Sequence, residues 1–83
     1  MKKLTTKELM LLSIVGPRRL AGRAVAEQYK ARTGKWISYG TIYCTMTRLF
    51  ERGLVRYIDD TDEDGKLRLF QVTDAGFHAL GKG

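Results

Sequence analysis

The chain has 83 residues, 43% of them hydrophobic, one cysteine and a net charge of +6. That length is room for one domain, 1–83, with a core that leaves little stability in reserve. Cys44 alone excludes an internal disulfide and a cysteine-cluster zinc site, and it suits a reducing, cytoplasmic setting. No apolar run approaches the roughly 20 residues of a membrane span, and no signal-peptide pattern opens the chain, so no membrane partner is expected. The charge is uneven. Residues 1–58 carry twelve Lys and Arg against three acids (Glu8, Glu27, Glu51), a balance of +9, whereas residues 59–83 carry three bases against six acids, −3. A basic body with one confined acidic stretch points to a polyanion held at one face, with solubility as the plain alternative.

Thr5-Thr6-Lys7-Glu8 reads as a capping box, with Leu4 and Leu9 as the hydrophobic staple. The run Leu9 to Val15 is nearly all apolar, so the first helix belongs in the core and stops at Gly16-Pro17. Arg18 to Leu20 reads as a short extended connection. A second helix is predicted over 21–32 from the spacing of Ala24, Val25, Gln28 and Tyr29, ended by Thr33-Gly34. Ser38 then caps a third helix, with Ile37 and Ile42 in staple positions and Gly53 at its end. Its stripe Ile42, Met46, Leu49 and Phe50 is expected to be buried. The opposite face carries Gly40, Thr41, Cys44, Thr47, Arg48 and Glu51, with Tyr43, Thr45 and Arg52 on the flanks.

Leu54 to Ile58 and Leu67 to Val72 read as antiparallel strands joined by the acid-rich segment 59–66, with Asp64-Gly65 as a turn dipeptide. Thr73-Asp74-Ala75-Gly76 opens a last short helix, with Val72 and Phe77 as its staple pair. The expected class is α+β, mostly α: a winged helix-turn-helix with three helices, a β-hairpin wing and a short C-terminal helix. The second and third helices form the reading unit of such a fold.

Ser38-Tyr39-Gly40-Thr41-Ile42-Tyr43, followed by Arg48-Leu49-Phe50-Glu51-Arg52-Gly53-Leu54-Val55, resembles the PadR family of bacterial transcriptional regulators. Gly16-Pro17, Gly22 and Thr73-Asp74-Ala75-Gly76 sit where that family has equivalents, so the likeness spans nearly the whole chain. The resemblance implies a winged-helix regulator that binds DNA. It departs at Cys44, where the family usually has Pro; a helix tolerates Pro only in its first turns, so the third helix should be more regular here. Typical members continue into a C-terminal helical region that makes the dimer and often an effector pocket. This sequence ends at Gly83 before such a region. No small-molecule effector is therefore expected, and a homodimer would use other elements, such as the first and last helices.

Helix N-termini offer phosphate their free N–H groups and the positive end of the dipole. Ser38, Tyr39, Gly40 and Thr41 form such an end, and Gly40 admits close approach at about 1 kcal/mol of helix stability relative to Ala. Cys44, Thr45, Thr47 and Arg48 follow where base edges would lie. Arg48 is the candidate for a bidentate guanine contact, worth about 1–3 kcal/mol of discrimination. A merely solvated face is the alternative, but such faces usually carry more Lys and Glu and less Thr and Gly. Tyr39 and Tyr43 offer hydroxyls to the sugar–phosphate backbone, one of the two being expected to pack in the core instead. Arg18, Arg19 and Arg23, at the opening of the second helix, read either as phosphate clamps or as ordinary solvated charge.

On the hairpin stem, Arg56, Lys66 and Arg68 are candidate DNA contacts. Asp59, Asp60, Asp62, Glu63 and Asp64 would be repelled by phosphate, so the tip should point away or meet a basic partner. The run lacks the length and terminal Glu of an EF-hand loop, and no metal is expected. His78 and Cys44 stand without a recognisable nucleophile motif, and Trp36 reads as an aromatic anchor at a helix start rather than a cofactor stack. The expectation is a protein without cofactor or catalytic activity that reads double-stranded DNA sequence-specifically through 38–52, as a repressor. The two other readings are an interaction module using the acidic tip and a non-specific architectural or replication DNA binder.

Overall fold

A computed structural model describes the backbone of residues 3–62 and 65–82, and the side chains of 3–59 and 68–81. The element order is α1 (Thr6–Val15), β1 (Leu20–Ala21), α2 (Gly22–Thr33), α3 (Tyr39–Glu51), β2 (Val55–Asp62), β3 (Gly65–Val72) and α4 (Asp74–Lys82). Among the described residues, no helix is long and apolar enough to cross a membrane.

The helix ends follow from side chains and glycines in the places the sequence puts them. At α1 the Thr5 hydroxyl accepts from the Glu8 amide at 3.1 Å, and the Thr5 amide donates to Glu8 Oε1 at 2.8 Å. Two otherwise orphaned donors are thereby satisfied, and the carboxylate sits at the positive end of the helix. At the other end of α3, Gly53 takes φ +74°, which a residue with a Cβ rarely adopts. The Gly53 amide donates to Phe50 O and the Leu54 amide to Leu49 O, both at 2.9 Å. This is a Schellman closure, and Leu49 and Leu54, which flank it, are both buried. The turn delivers the chain directly into β2.

The core joins one face of each of α1, α2 and α3 to the sheet. Leu11, Leu12, Ile14 and Val15 come from α1, Val25 and Ala26 from α2, and Ile42, Met46 and Leu49 from α3. Val55, Phe70 and Val72 close it from the sheet side. Phe70 is fully buried between helices and hairpin; truncation to Ala would cost about 3–5 kcal/mol. Outside the core, Arg32 Nη1 donates to Ser13 Oγ at 3.1 Å, tying α2 to α1. The last helix is pinned to the turn after α3: the Thr73 hydroxyl donates to Gly53 O at 2.6 Å and accepts from the Gly76 amide at 3.1 Å. A Cβ at Gly76 would run into the Leu54 carbonyl and Val72, so α4 seats there only on glycine.

Four expectations are corrected. The connection after α1 contributes a strand: β1 pairs antiparallel with β3, Leu20 opposite Phe70 and Ala21 opposite Leu69, giving the sheet order β1-β3-β2. The hairpin is longer than the two apolar runs, because the ladder continues through Asp59↔Arg68 to Asp62↔Gly65. The segment read as a loop is thus largely paired backbone, and opposite charges face each other across the strands at Asp59 and Arg68. Phe50 is not in the core but 47% exposed, stacked on Tyr57 at 4.7 Å between ring centroids. Phe77, expected to pair with Val72, is likewise outside the core, at 42% exposed.

Candidate nucleic-acid interface

Ser38 has extended φ and ψ and accepts a hydrogen bond from the Thr41 amide at 3.1 Å, so it is the N-cap of α3. Its hydroxyl also lies 2.9 Å from Thr41 Oγ1. Ile42 N donates to Ser38 O, which leaves the amides of Tyr39 and Gly40 as helix donors without an acceptor among the described residues. Gly40 is exposed, and a Cβ there would meet only Ser38 Oγ at 4.0 Å. Nothing inside the fold requires glycine at this position, although it weakens the helix by about 1 kcal/mol relative to Ala. The open space lies outside the molecule, at the end of a helix that has unsatisfied donors.

Beyond this first turn, α3 divides cleanly. Ile42, Thr45, Met46 and Leu49 are buried, while Tyr43, Cys44, Thr47 and Arg48 are exposed. Thr45, grouped with the base-reading positions by its place on the flank, is only 5% exposed and is therefore removed from the candidate surface. A flank position on a short-sided helix goes to whichever neighbour packs first, and here the core takes it. Neither Tyr39 nor Tyr43 is buried, at 43% and 46% exposed, which corrects the expectation that one would be. Tyr43 nevertheless has a packing role: its ring meets Phe70 edge-on at 5.7 Å, and its hydroxyl occupies the space a Cβ on Gly22 would need, 2.9 Å away. Gly22 thus lets the start of α2 sit directly against α3.

The basic residues fall into two groups. Arg19, Arg23 and Arg48 are exposed, with no ion pair or side-chain hydrogen bond among the described residues. Arg18, Arg56 and Arg68 are already engaged. Arg18 Nη2 donates to Ile14 O at 2.7 Å, satisfying a carbonyl at the end of α1. Arg56 Nε donates to Gln71 Oε1 at 2.8 Å. Arg68 lies 3.5 Å from Asp59 Oδ1, and its guanidinium carbon is 5.1 Å from the Tyr57 ring centroid. The side chains of Lys66, Asp60, Asp62, Glu63 and Asp64 lie outside the described residues.

The wing is coupled to α3 by aromatic contacts that periodicity could not reveal. Tyr57 stacks on Phe50 and meets Phe70 at 5.6 Å, and its hydroxyl lies 3.5 Å from Thr47 Oγ1. Thr47 itself donates to Tyr43 O at 2.8 Å. Trp36, read as an anchor, is instead 59% exposed beside the start of α3.

A family model for the PadR-like transcriptional regulators matches residues 11–82. No curated protein sequence matches the chain. Among solved structures, a candidate transcriptional regulator from Thermoplasma acidophilum aligns with TM-score 0.84 at 28% identity, over 90% of this chain and 73% of its own. A PadR family regulator from Eggerthella lenta aligns with TM-score 0.81 at 26% identity, over 93% and 67% of the two chains. Bacillus subtilis PadR, solved in complex with operator DNA, aligns with TM-score 0.83 at 16% identity, over 94% of this chain and 46% of its own; at that identity the likeness is one of fold. Three helices with a β-hairpin after the third, the capped and divided α3, and a family match over almost the whole chain lead to one conclusion: the chain belongs to the PadR-like family of transcriptional regulators.

Proposed function

We propose that this protein binds duplex DNA sequence-specifically in the cytoplasm, with α3 in the major groove, and acts as a repressor by occluding a promoter. Binding, rather than catalysis, is the activity proposed. The observation that carries this reading is the division of α3: one side is committed to the core, and the other presents small polar side chains with two amides and an arginine that have no partner among the described residues. The fold shared with Bacillus subtilis PadR, which was solved with operator DNA, supports it.

In this reading the Tyr39 and Gly40 amides and the hydroxyls of Ser38, Tyr39, Thr41 and Tyr43 meet the sugar–phosphate backbone. Cys44, Thr47 and Arg48 face base edges, and Arg48 supplies the guanine contact. Arg19 and Arg23 hold phosphates flanking the groove; Arg18 does so with the N–H groups left over once its Nη2 has bonded the Ile14 carbonyl. Arg56, Lys66 and Arg68 contribute from the wing stem. A homodimer on a two-fold symmetric operator would place two α3 helices one turn of the duplex apart.

The direct test is equilibrium binding to a labelled duplex across a range of salt concentrations. Neutralising about five phosphates per protomer gives a slope of roughly −4.5 in log affinity against log salt. A flat response would remove nucleic acid as the partner. A steep slope with equal affinity for every duplex would instead favour a non-specific, architectural role.

A further inference from the structure

We infer that Trp36, backed by Tyr39, is a contact surface for the sugar–phosphate backbone of duplex DNA, an inference that rests on α3 being the DNA-facing helix. Trp36 is more exposed than any other large hydrophobic side chain among the described residues. It is also firmly displayed. The Thr33 hydroxyl accepts from the Lys35 amide at 3.1 Å and donates to Tyr29 O at 2.9 Å, and Ile37, the next residue, is buried. The turn that carries the indole is therefore held on both sides. Its ring meets Tyr39 edge-on, 6.1 Å between centroids at 69°, so the two aromatics form one wall at the N-terminal end of α3.

The chemistry around this wall selects its occupant. No acidic residue occurs between Glu27 and Glu51, while Lys30, Arg32, Lys35 and Arg48 do. The nitrogen groups nearby are donors: the indole N–H, the Lys35 ammonium and the amides of Tyr39 and Gly40, which have no acceptor among the described residues. The indole N–H has no acceptor among the described residues. An aromatic face flanked by the Lys35 ammonium and by the N–H donors of a helix start, in a segment without acids, suits an anionic, acceptor-rich chain whose sugars offer C–H groups to the rings. A second copy of this basic segment would repel it.

Trp36 is the only tryptophan in the chain, so its emission reports this site alone. A backbone contact needs no particular sequence, and a labelled random-sequence duplex at low salt is a sufficient probe. Binding is followed by anisotropy of the label, and Trp36 accessibility by acrylamide quenching of the same samples. The inference expects quenching to fall as anisotropy rises. It also expects Trp36→Ala to weaken random and selected duplexes alike, by about tenfold, with Trp36→Phe recovering part of the loss. Rising anisotropy with unchanged quenching would overturn the role of Trp36 and leave DNA binding intact. Absence of any anisotropy change would overturn the DNA reading itself. Protection of Trp36 that grows with protein concentration without DNA would assign the wall to self-association and overturn the inference.

Discussion

Helix α3 and the wing both carry arginines, yet they hold them differently. Arg48 on α3 extends from a face of small polar residues and has no partner among the described residues, as do Arg19 and Arg23 around the start of α2. On the wing, Arg56 is bonded to Gln71, while Arg68 faces Asp59 across the strands and lies over Tyr57. An incoming phosphate meets the first group with all five guanidinium N–H donors open among the described residues, whereas in the second the Nε–H is already committed and the planar group is oriented by its internal partner. Net charge would rank the two regions by their content of bases. Partner occupancy ranks them by what those bases are free to do.

The difference can be broken at several points. Arg48→Ala should have the largest effect, about 1–3 kcal/mol on binding to a preferred duplex with far less on random DNA, as measured by competition titration. An equal loss on both would make Arg48 a phosphate contact. Gly40→Ala should move two measurements in opposite directions. The helix gains about 1 kcal/mol, raising Tm by roughly 4–8 °C, while a methyl group at the approach surface weakens duplex binding by about 1 kcal/mol. A stabilised protein that binds DNA as well as before would mean that the open space at Gly40 serves no partner. Arg23→Ala should weaken all duplexes alike and make the salt slope shallower by about one. Asp59→Ala should have the smallest effect. Loss of an exposed pair costs stability no more than about 1 kcal/mol, and freeing Arg68 should tighten duplex binding slightly. Weaker binding by that variant would show that the acidic strand assists recognition rather than opposing it.

The parts of this account that were legible in the sequence are those with local causes. The Thr5–Glu8 capping box, the Ser38 cap and the Gly34 and Gly53 stops each depend on residues within one turn, and helix limits came within about a residue as a result. Strand β1 has no such signature: two residues pair with β3 some fifty positions away, and only the assembled sheet defines them. The outer hairpin has the composition of a loop, since Asp is a poor strand former, but cross-strand pairing extends the ladder past the apolar residues. Errors at the candidate site came from its margins. Thr45 and Phe50 border the buried stripe of α3 on opposite sides; the core took the small residue, and Tyr57 on the wing took the large one. Trp36 fits the position of an anchor, but Ile37 beside it fills that role and leaves the indole outside.

The central claim is that the exposed face of α3 reads sequence and that Arg48 is its main reader. Selection of bound duplexes from a random pool, run in parallel with the wild type and Arg48→Ala, tests it most directly. The wild type should enrich a defined motif containing a guanine whose preference Arg48→Ala loses, while the other positions are retained. A wild type that enriches no motif, or an Arg48→Ala protein that selects the same motif at the same strength, would contradict it.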